Sequence, residues 1–166
     1  MTRAWLLFAL TVAACDPVNH DAIDALDGNA PGVRNGPLHR PGEPCLLCHD
    51  GQIGDPSRFT VAGTIFETPG ARVAAVDAVV TLTDANGSTH STSTNAAGNF
   101  YLTPGDWTPV FPISNVMVLG SGATTPTKMQ SEIGRDGACA SCHVDPAGPA
   151  SPGHVALASV DGGVLP

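Results

Sequence analysis

Basic residues are scarce in this chain: seven Lys and Arg stand against fifteen Asp and Glu, for a formal net charge of -8. Nucleic-acid phosphates are neutralised by Lys and Arg, so nucleic acid is excluded as a partner. An acidic surface suits a soluble partner with a basic face. Aromatic residues make up only 5 % of the 166 residues. The chain's own apolar core is therefore modest, and a bulky apolar group has room to complete it. No apolar run reaches the roughly 20 residues that a membrane-spanning helix needs. No Ser/His/Asp triad, phosphate loop or paired carboxylate site is evident.

Glycine (19) and proline (15) are abundant, a mix that suits short strands and turns better than long helices. Residues 59–119 carry the strand signals. Phe59 to Phe66, Val79 to Thr83, Phe100 to Leu102 and Ile113 to Leu119 are apolar or β-branched runs, and Thr89 to Thr94 is a polar, outward-facing one. Asp84-Ala85-Asn86-Gly87 and Asn95-Ala96-Ala97-Gly98-Asn99 punctuate them as turns. The expected fold class is mainly β: a small β-sandwich flanked by two loop-rich segments with short helical turns. The expected division is a leader (1–14), a tether (15–37), a first cysteine-bearing segment (38–58), the sandwich (59–119) and a second cysteine-bearing segment (120–166). A short helix near Asp21 to Leu26 is expected inside the tether.

The leader has Arg3, then an apolar run from Ala4 to Ala14, and ends in Val12-Ala13-Ala14-Cys15. That ending resembles the lipobox of bacterial lipoproteins, which implies a diacylglyceryl group on Cys15 and cleavage before it. The alternative is an ordinary signal peptide that happens to contain Cys15. Either way the chain is expected to be exported. Lipidation would place it at the cell envelope of a Gram-negative-type bacterium, anchored to a membrane and facing the periplasm or the cell surface.

The other four cysteines form Cys45-Leu46-Leu47-Cys48-His49 and Cys139-Ala140-Ser141-Cys142-His143. Both have the form C-x-x-C-H, the attachment pattern of c-type haem. The spacing follows from the chemistry. Two intervening residues put both thiols on one side of a helical turn, where each adds to a porphyrin vinyl group. The next residue, His49 or His143, then offers its imidazole to the iron. Two haem c groups are the expected cofactors. The alternatives are a C-x-x-C…C-x-x-C zinc site or disulfides. Against zinc stand the β-rich stretch between the pairs, the His after each pair and the export signal.

For the distal iron ligands the candidates are His20, His39, His90, His154, Met117 and Met129. His39 precedes Cys45 through a Pro- and Gly-rich link, and the stretch resembles openings of small multihaem proteins. His39 is the expected distal ligand of the first haem. For the second, Met129 is expected and His154 is the alternative. Met129 resembles the Met that precedes the attachment motif in some exported cytochromes. A His/Met pair raises the reduction potential relative to His/His, so these assignments imply a downhill step from the first haem to the second. His20 and His90 are expected to be solvated.

The β segment has a more specific likeness. Val61-Ala62-Gly63-Thr64-Ile65, then Val79 to Asp84, then Asn86-Gly87, then Thr94-Asn95-Ala96-Ala97-Gly98-Asn99-Phe100 resemble the carboxypeptidase regulatory-like domain over residues 59–103. The resemblance implies an immunoglobulin- or transthyretin-like sandwich that serves as a scaffold, with no catalytic set. The chain as a whole resembles an exported dihaem c-type cytochrome lipoprotein. The function this implies is electron transfer with redox protein partners. Two other readings stand beside it: a haem enzyme such as a small dihaem peroxidase, or a surface binding module whose platforms would be Trp107 and Tyr101.

Overall fold

The structure is a computed structural model that describes residues 20–26, 28–51 and 57–157. The leader and Cys15 lie outside these residues. Among those described, no helix is long and apolar enough to cross a membrane.

The fold is mainly β, with two antiparallel sheets and almost no helix. A short helix, α1 (His20–Asp24), precedes the strands β1 (Val61–Thr64), β2 (Val79–Thr83), β3 (Thr89–Ser93), β4 (Asn99–Leu102), β5 (Asn115–Leu119) and β6 (Thr127–Lys128). One sheet is the pair β1–β4 and the other has the order β3–β2–β5–β6. β2 sits centrally, with Val80 opposite Thr92 on one side and Val118 on the other.

The strand pattern explains which faces meet. Val80 and Leu82 of β2 and Val116 and Val118 of β5 alternate inward, and they join Val61, Phe100 and Leu102 of the other sheet in one apolar cluster. Full burial of each such side chain stabilises the fold by about 1.5–3 kcal/mol. β3 is polar throughout, Thr89-His90-Ser91-Thr92-Ser93, and contributes none of that cluster. The turns behave as their residues dictate. The Asp84 carbonyl accepts from Gly87 N–H (3.0 Å), and Asn95 Oδ1 accepts from Ala97 N–H (2.9 Å).

Two boundaries differ from the sequence expectation. β6 and the bridge between Ile113 and Ile133 extend the larger sheet beyond residue 119, because β5 has an edge that the following chain fills. The stretch read as a tether is drawn partly into the fold: the Pro37 carbonyl accepts from both Asn95 and Asn99 side chains.

The placement of β1 matters most for the site. Both cysteine-bearing segments pack on it. The second segment is stitched alongside through parallel bridges Ala62–Ala138 and Phe66–Ala156, with Ala62 N–H donating to the Gly137 carbonyl at 3.0 Å.

Candidate functional site

The two C-x-x-C-H motifs adopt the same local structure. Each opens with an extended residue, Pro44 (φ -74°, ψ 86°) or Ala138 (φ -83°, ψ 105°). Each then makes a single 3-10 turn, Cys45–Leu47 or Cys139–Ser141. In each, the first Cys carbonyl accepts from the backbone N–H of the second Cys and of the following His. The distances are 3.3 and 3.0 Å in the first motif, and 3.2 and 2.9 Å in the second. The turn gathers both thiols and leaves the His at its end.

Each of those His residues is held by a backbone carbonyl further along the chain. His49 donates from Nδ1 to the Ser57 carbonyl (2.9 Å), and His143 donates from Nδ1 to the Gly153 carbonyl (3.0 Å). A proton committed at Nδ1 fixes the tautomer in which Nε2 carries the lone pair, the arrangement found behind metal-bound imidazoles.

The candidate distal residues show the same feature. His39 donates from Nδ1 to the Gly36 carbonyl. His154 donates from Nδ1 to the Asp145 carboxylate (2.9 Å), whose other oxygen accepts the His154 backbone N–H (3.2 Å). The His154 side chain is 7 % exposed. Burial lowers its pKa, against the opposing pull of Asp145, which favours the neutral ring that a metal requires.

At the first site the elements converge. The imidazoles of His39 and His49 have centroids 5.9 Å apart. Two metal–nitrogen bonds of about 2.0 Å each, placed back to back with the ring radii, span roughly 6 Å. A cavity of 680 Å³ is walled by both imidazoles, both thiols, and the apolar side chains of Phe59 and Phe100 among others. That volume lies within the range of about 300–1,000 Å³ that cofactor sites occupy. Arg40 is on the same wall and places a cation beside it. Phe59 stacks on His49 (4.4 Å) and on Tyr101 (4.7 Å), so the ring opposite His39 is backed by aromatic packing. The residues present fit a c-type haem here in donor set, tautomer and space.

At the second site the donor set fits and the space is small. Cys139, His143 and His154 border a gap of only about 10 Å³, together with Gly42 of the first segment. Cys142 is exposed, so a group attached here lies toward solvent. Met129, the expected distal ligand, does not border this gap. It packs against the apolar cluster between the sheets, and its N–H donates to the Val116 carbonyl at 3.0 Å. The structure thus brings His154 to the gap beside the second motif and packs Met129, partly buried, against the apolar cluster. Met117 lies on β5 opposite Lys128. His90 stacks on Trp107 with centroids 6.0 Å apart, and His20 opens α1.

The two sites adjoin each other. Gly42, three residues before Cys45, meets the His154 ring: a Cβ built on it would stand 3.3 Å from Cε1 and Nε2. Cys45 is near enough to Cys139 for its charge to disfavour the Cys139 thiolate. Burial above all pushes the Cys45 thiol up to about 11 and the Cys139 thiol up to about 12.

The other chemistries suggested by the sequence find less in this geometry. A structural zinc needs four donors about one ion. Among the described residues no three or more His, Cys, Asp or Glu side chains converge in that way, and the four thiols are not disulfide-bonded. Trp107 is 9 % exposed within the core cluster, so it is no binding platform, while Tyr101 at 39 % is half open and stacked on Phe59.

Sequence reasoning missed the residues that orient these rings. Ser57 and Gly153 act through backbone carbonyls, which leave no trace in residue type. Asp145 did carry a signal, a carboxylate nine residues before His154, but only the folded chain pairs them. Searches against family models, curated proteins and solved structures found no match.

Proposed function

We propose that this protein is a dihaem c-type cytochrome that transfers electrons at the bacterial cell envelope. The observation that carries this reading is the duplication of the attachment geometry. Two C-x-x-C-H segments, separated by a β domain, fold into the same turn, and each ties its His Nδ1 to a downstream carbonyl. A motif arising by chance has no reason to repeat that second interaction.

Bound at these sites, haem c supplies a one-electron Fe(III)/Fe(II) couple whose potential follows its axial ligands and surroundings. The chain's residues do the rest. Cys45 and Cys48, and Cys139 and Cys142, form the thioether links. His49 and His143 are the proximal ligands. His39 is the distal ligand at the first site. At the second site the geometry supports His154 rather than Met129, and the downhill step expected from a His/Met centre loses its basis. At the first site His39 and His49 would hold the iron from both faces and leave no open position for peroxide, which supports electron transfer over peroxidase chemistry. The shared seat on β1 keeps the two centres close, as passage between them requires. Cys15 is the proposed lipid anchor, holding the domain at a membrane surface within reach of redox protein partners.

The test is a pyridine haemochrome spectrum with intact mass, on protein expressed with haem-maturation machinery. Two covalent haems per chain are expected, and one fewer after Cys45→Ser/Cys48→Ser or Cys139→Ser/Cys142→Ser. A chain with no covalent haem would overturn the proposal.

A further inference from the structure

The segment that carries His39 is held only in part by its own length of chain, where the Gly36 carbonyl accepts from His39 N–H (3.1 Å) and Nδ1 and the Arg40 carbonyl accepts from Glu43 N–H (3.3 Å). Residues 36–42 include two glycines and two prolines (Gly36, Pro37, Pro41 and Gly42), with Arg40 (φ 47°) and Gly42 (φ 87°) in the left-handed region. What ties the segment to the sheet is a pair of buried polar side chains on the β1–β4 pair. Asn99, 8 % exposed, donates from Nδ2 to the carbonyls of Pro37 (3.2 Å) and His39 itself (3.0 Å). Its Oδ1 accepts from the Thr64 hydroxyl (2.7 Å), which in turn accepts from Gly42 N–H (2.7 Å). Thr64 and Asn99 face each other across the strand pair. Every donor of the two side chains is used, and together they grip the loop on both sides of His39. Asn95 adds one more bond, to the Pro37 carbonyl at 2.7 Å, from an exposed position.

We infer that Asn99 and Thr64 are positioning residues for the distal imidazole of the first haem, a role that rests on the haem reading proposed above. The turn that the sequence offers as scaffold alone is thereby the clamp that keeps His39 opposite His49. Without the clamp the loop carbonyls and Gly42 N–H still find water, so the loop can detach while the sheets remain. Distal ligation would then compete with an open iron. Each buried bond lost shifts that balance by about tenfold toward the open form.

The experiment compares holoprotein of the wild type with Asn99→Asp, Thr64→Val, Thr64→Ser and His39→Ala. Asn99→Asp removes both donors at nearly constant shape. Thr64→Val removes the hydroxyl, and Thr64→Ser restores it. Haem content by pyridine haemochrome is read first, then electronic spectra and carbon monoxide binding to the reduced protein. With two haems attached, Asn99→Asp and Thr64→Val are expected to gain high-spin, carbon monoxide-reactive haem with the difference spectrum of His39→Ala, and Thr64→Ser is expected to match the wild type. Thr64→Val serves alone should Asn99→Asp fail to fold. Variants that carry both haems and stay as fully low-spin as the wild type would overturn the inference and leave the haem reading standing. Wild type without haem would remove the reading itself.

Discussion

The Sγ of Cys139 lies 2.7 Å from the point that a Cβ on Gly63 would occupy. Gly63 is the third residue of β1, and the absence of a side chain there lets the second motif lie directly on the strand. The Cys139 Cβ (2.8 Å) and Phe100 Cε1 (3.1 Å) close the same space. Gly63→Ala is therefore expected to force the second segment off β1 and to cost about 1–3 kcal/mol, the usual penalty for overpacking a tight interior. Urea unfolding checks this. An unchanged midpoint would mean that the segment yields freely.

The spacing of His39 and His49 predicts the outcome of removing the His39 ring. With haem bound as proposed, His39→Ala would leave His49 and both thioethers in place, so haem content is expected to stay at two per chain. Reduced protein is then expected to bind about one carbon monoxide per chain, where the wild type binds none. Titration at the Soret band reads this directly. A wild type that binds carbon monoxide at both haems would show the sites to be open already.

Much of this fold was legible in the sequence, for local reasons. β2 occupies Val79–Thr83 as its run of β-branched residues predicts, and Asn86-Gly87 turns the chain into β3. The two C-x-x-C-H motifs are equally plain in the sequence, because the haem attachment proposed for them needs fixed residue types at fixed spacing. What escaped depends on contacts between distant segments. β6 is two residues, Thr127–Lys128, without a strand pattern of its own; it exists because β5 has an edge to fill. Met129 is the distal ligand that a resemblance to exported cytochromes implies, and its packing against the apolar cluster, partly buried, depends on distant residues that its own neighbourhood in the sequence does not reveal. Asn99 looked like a turn residue, and only its partners on residues 37 and 39, about sixty positions away, reveal its second task.

Asp84 predicts an acid-side instability unconnected with haem. Its side chain is 3 % exposed. Oδ2 accepts from Val110 N–H (3.1 Å), and Oδ1 accepts from Asn86 and Ser88 N–H (2.9 Å each). These bonds, that from Val110 foremost, hold the carboxyl below its ordinary pKa. A depressed folded-state pKa means that the unfolded chain binds the proton more readily. The stabilisation is then complete above the unfolded value of about 3.9 and is lost as pH falls below it toward the folded value. Asp84→Asn is expected to be less stable at pH 7 and to show a flatter decline below pH ~4. Parallel pH profiles of thermal midpoint for the two proteins test this, and equal slopes would count against it.

Thiol burial sets an order of reactivity for protein made without haem attachment. The nucleophile is the thiolate. With pKa values pushed up to about 11 at Cys45 and about 12 at Cys139, almost none is present at mildly alkaline pH. Cys142 is exposed. Iodoacetamide on the folded protein is expected to label Cys142 first and Cys139 last, with Cys45 just ahead of it. Peptide mapping over time gives the order. Rapid labelling of Cys139 would show that the second segment lifts off β1.

The choice between His154 and Met129 can be decided by a pair of substitutions, because the two side chains stand in different surroundings. His154 is oriented by Asp145 and borders the gap beside Cys139 and His143. Met129 packs on the core cluster. His154→Ala is expected to open the proposed second haem to carbon monoxide, and because the ring is buried, bonded to Asp145 and stacked on Phe66, haem content and thermal midpoint are read alongside. Met129→Leu keeps the volume of the core, so it is expected to cost less than about 1.5 kcal/mol and to leave both haem spectra unchanged. If Met129 were the ligand, the pattern would invert: Met129→Leu would expose an iron and shift its potential downward or upward with the replacement ligand, while His154→Ala would leave the spectra alone. The Asp145→Asn variant adds a graded test. It keeps the ring and weakens its charge-assisted hydrogen bond, so a ligated His154 becomes a weaker donor and the potential of the second haem rises, whereas an unligated one leaves the potential unmoved.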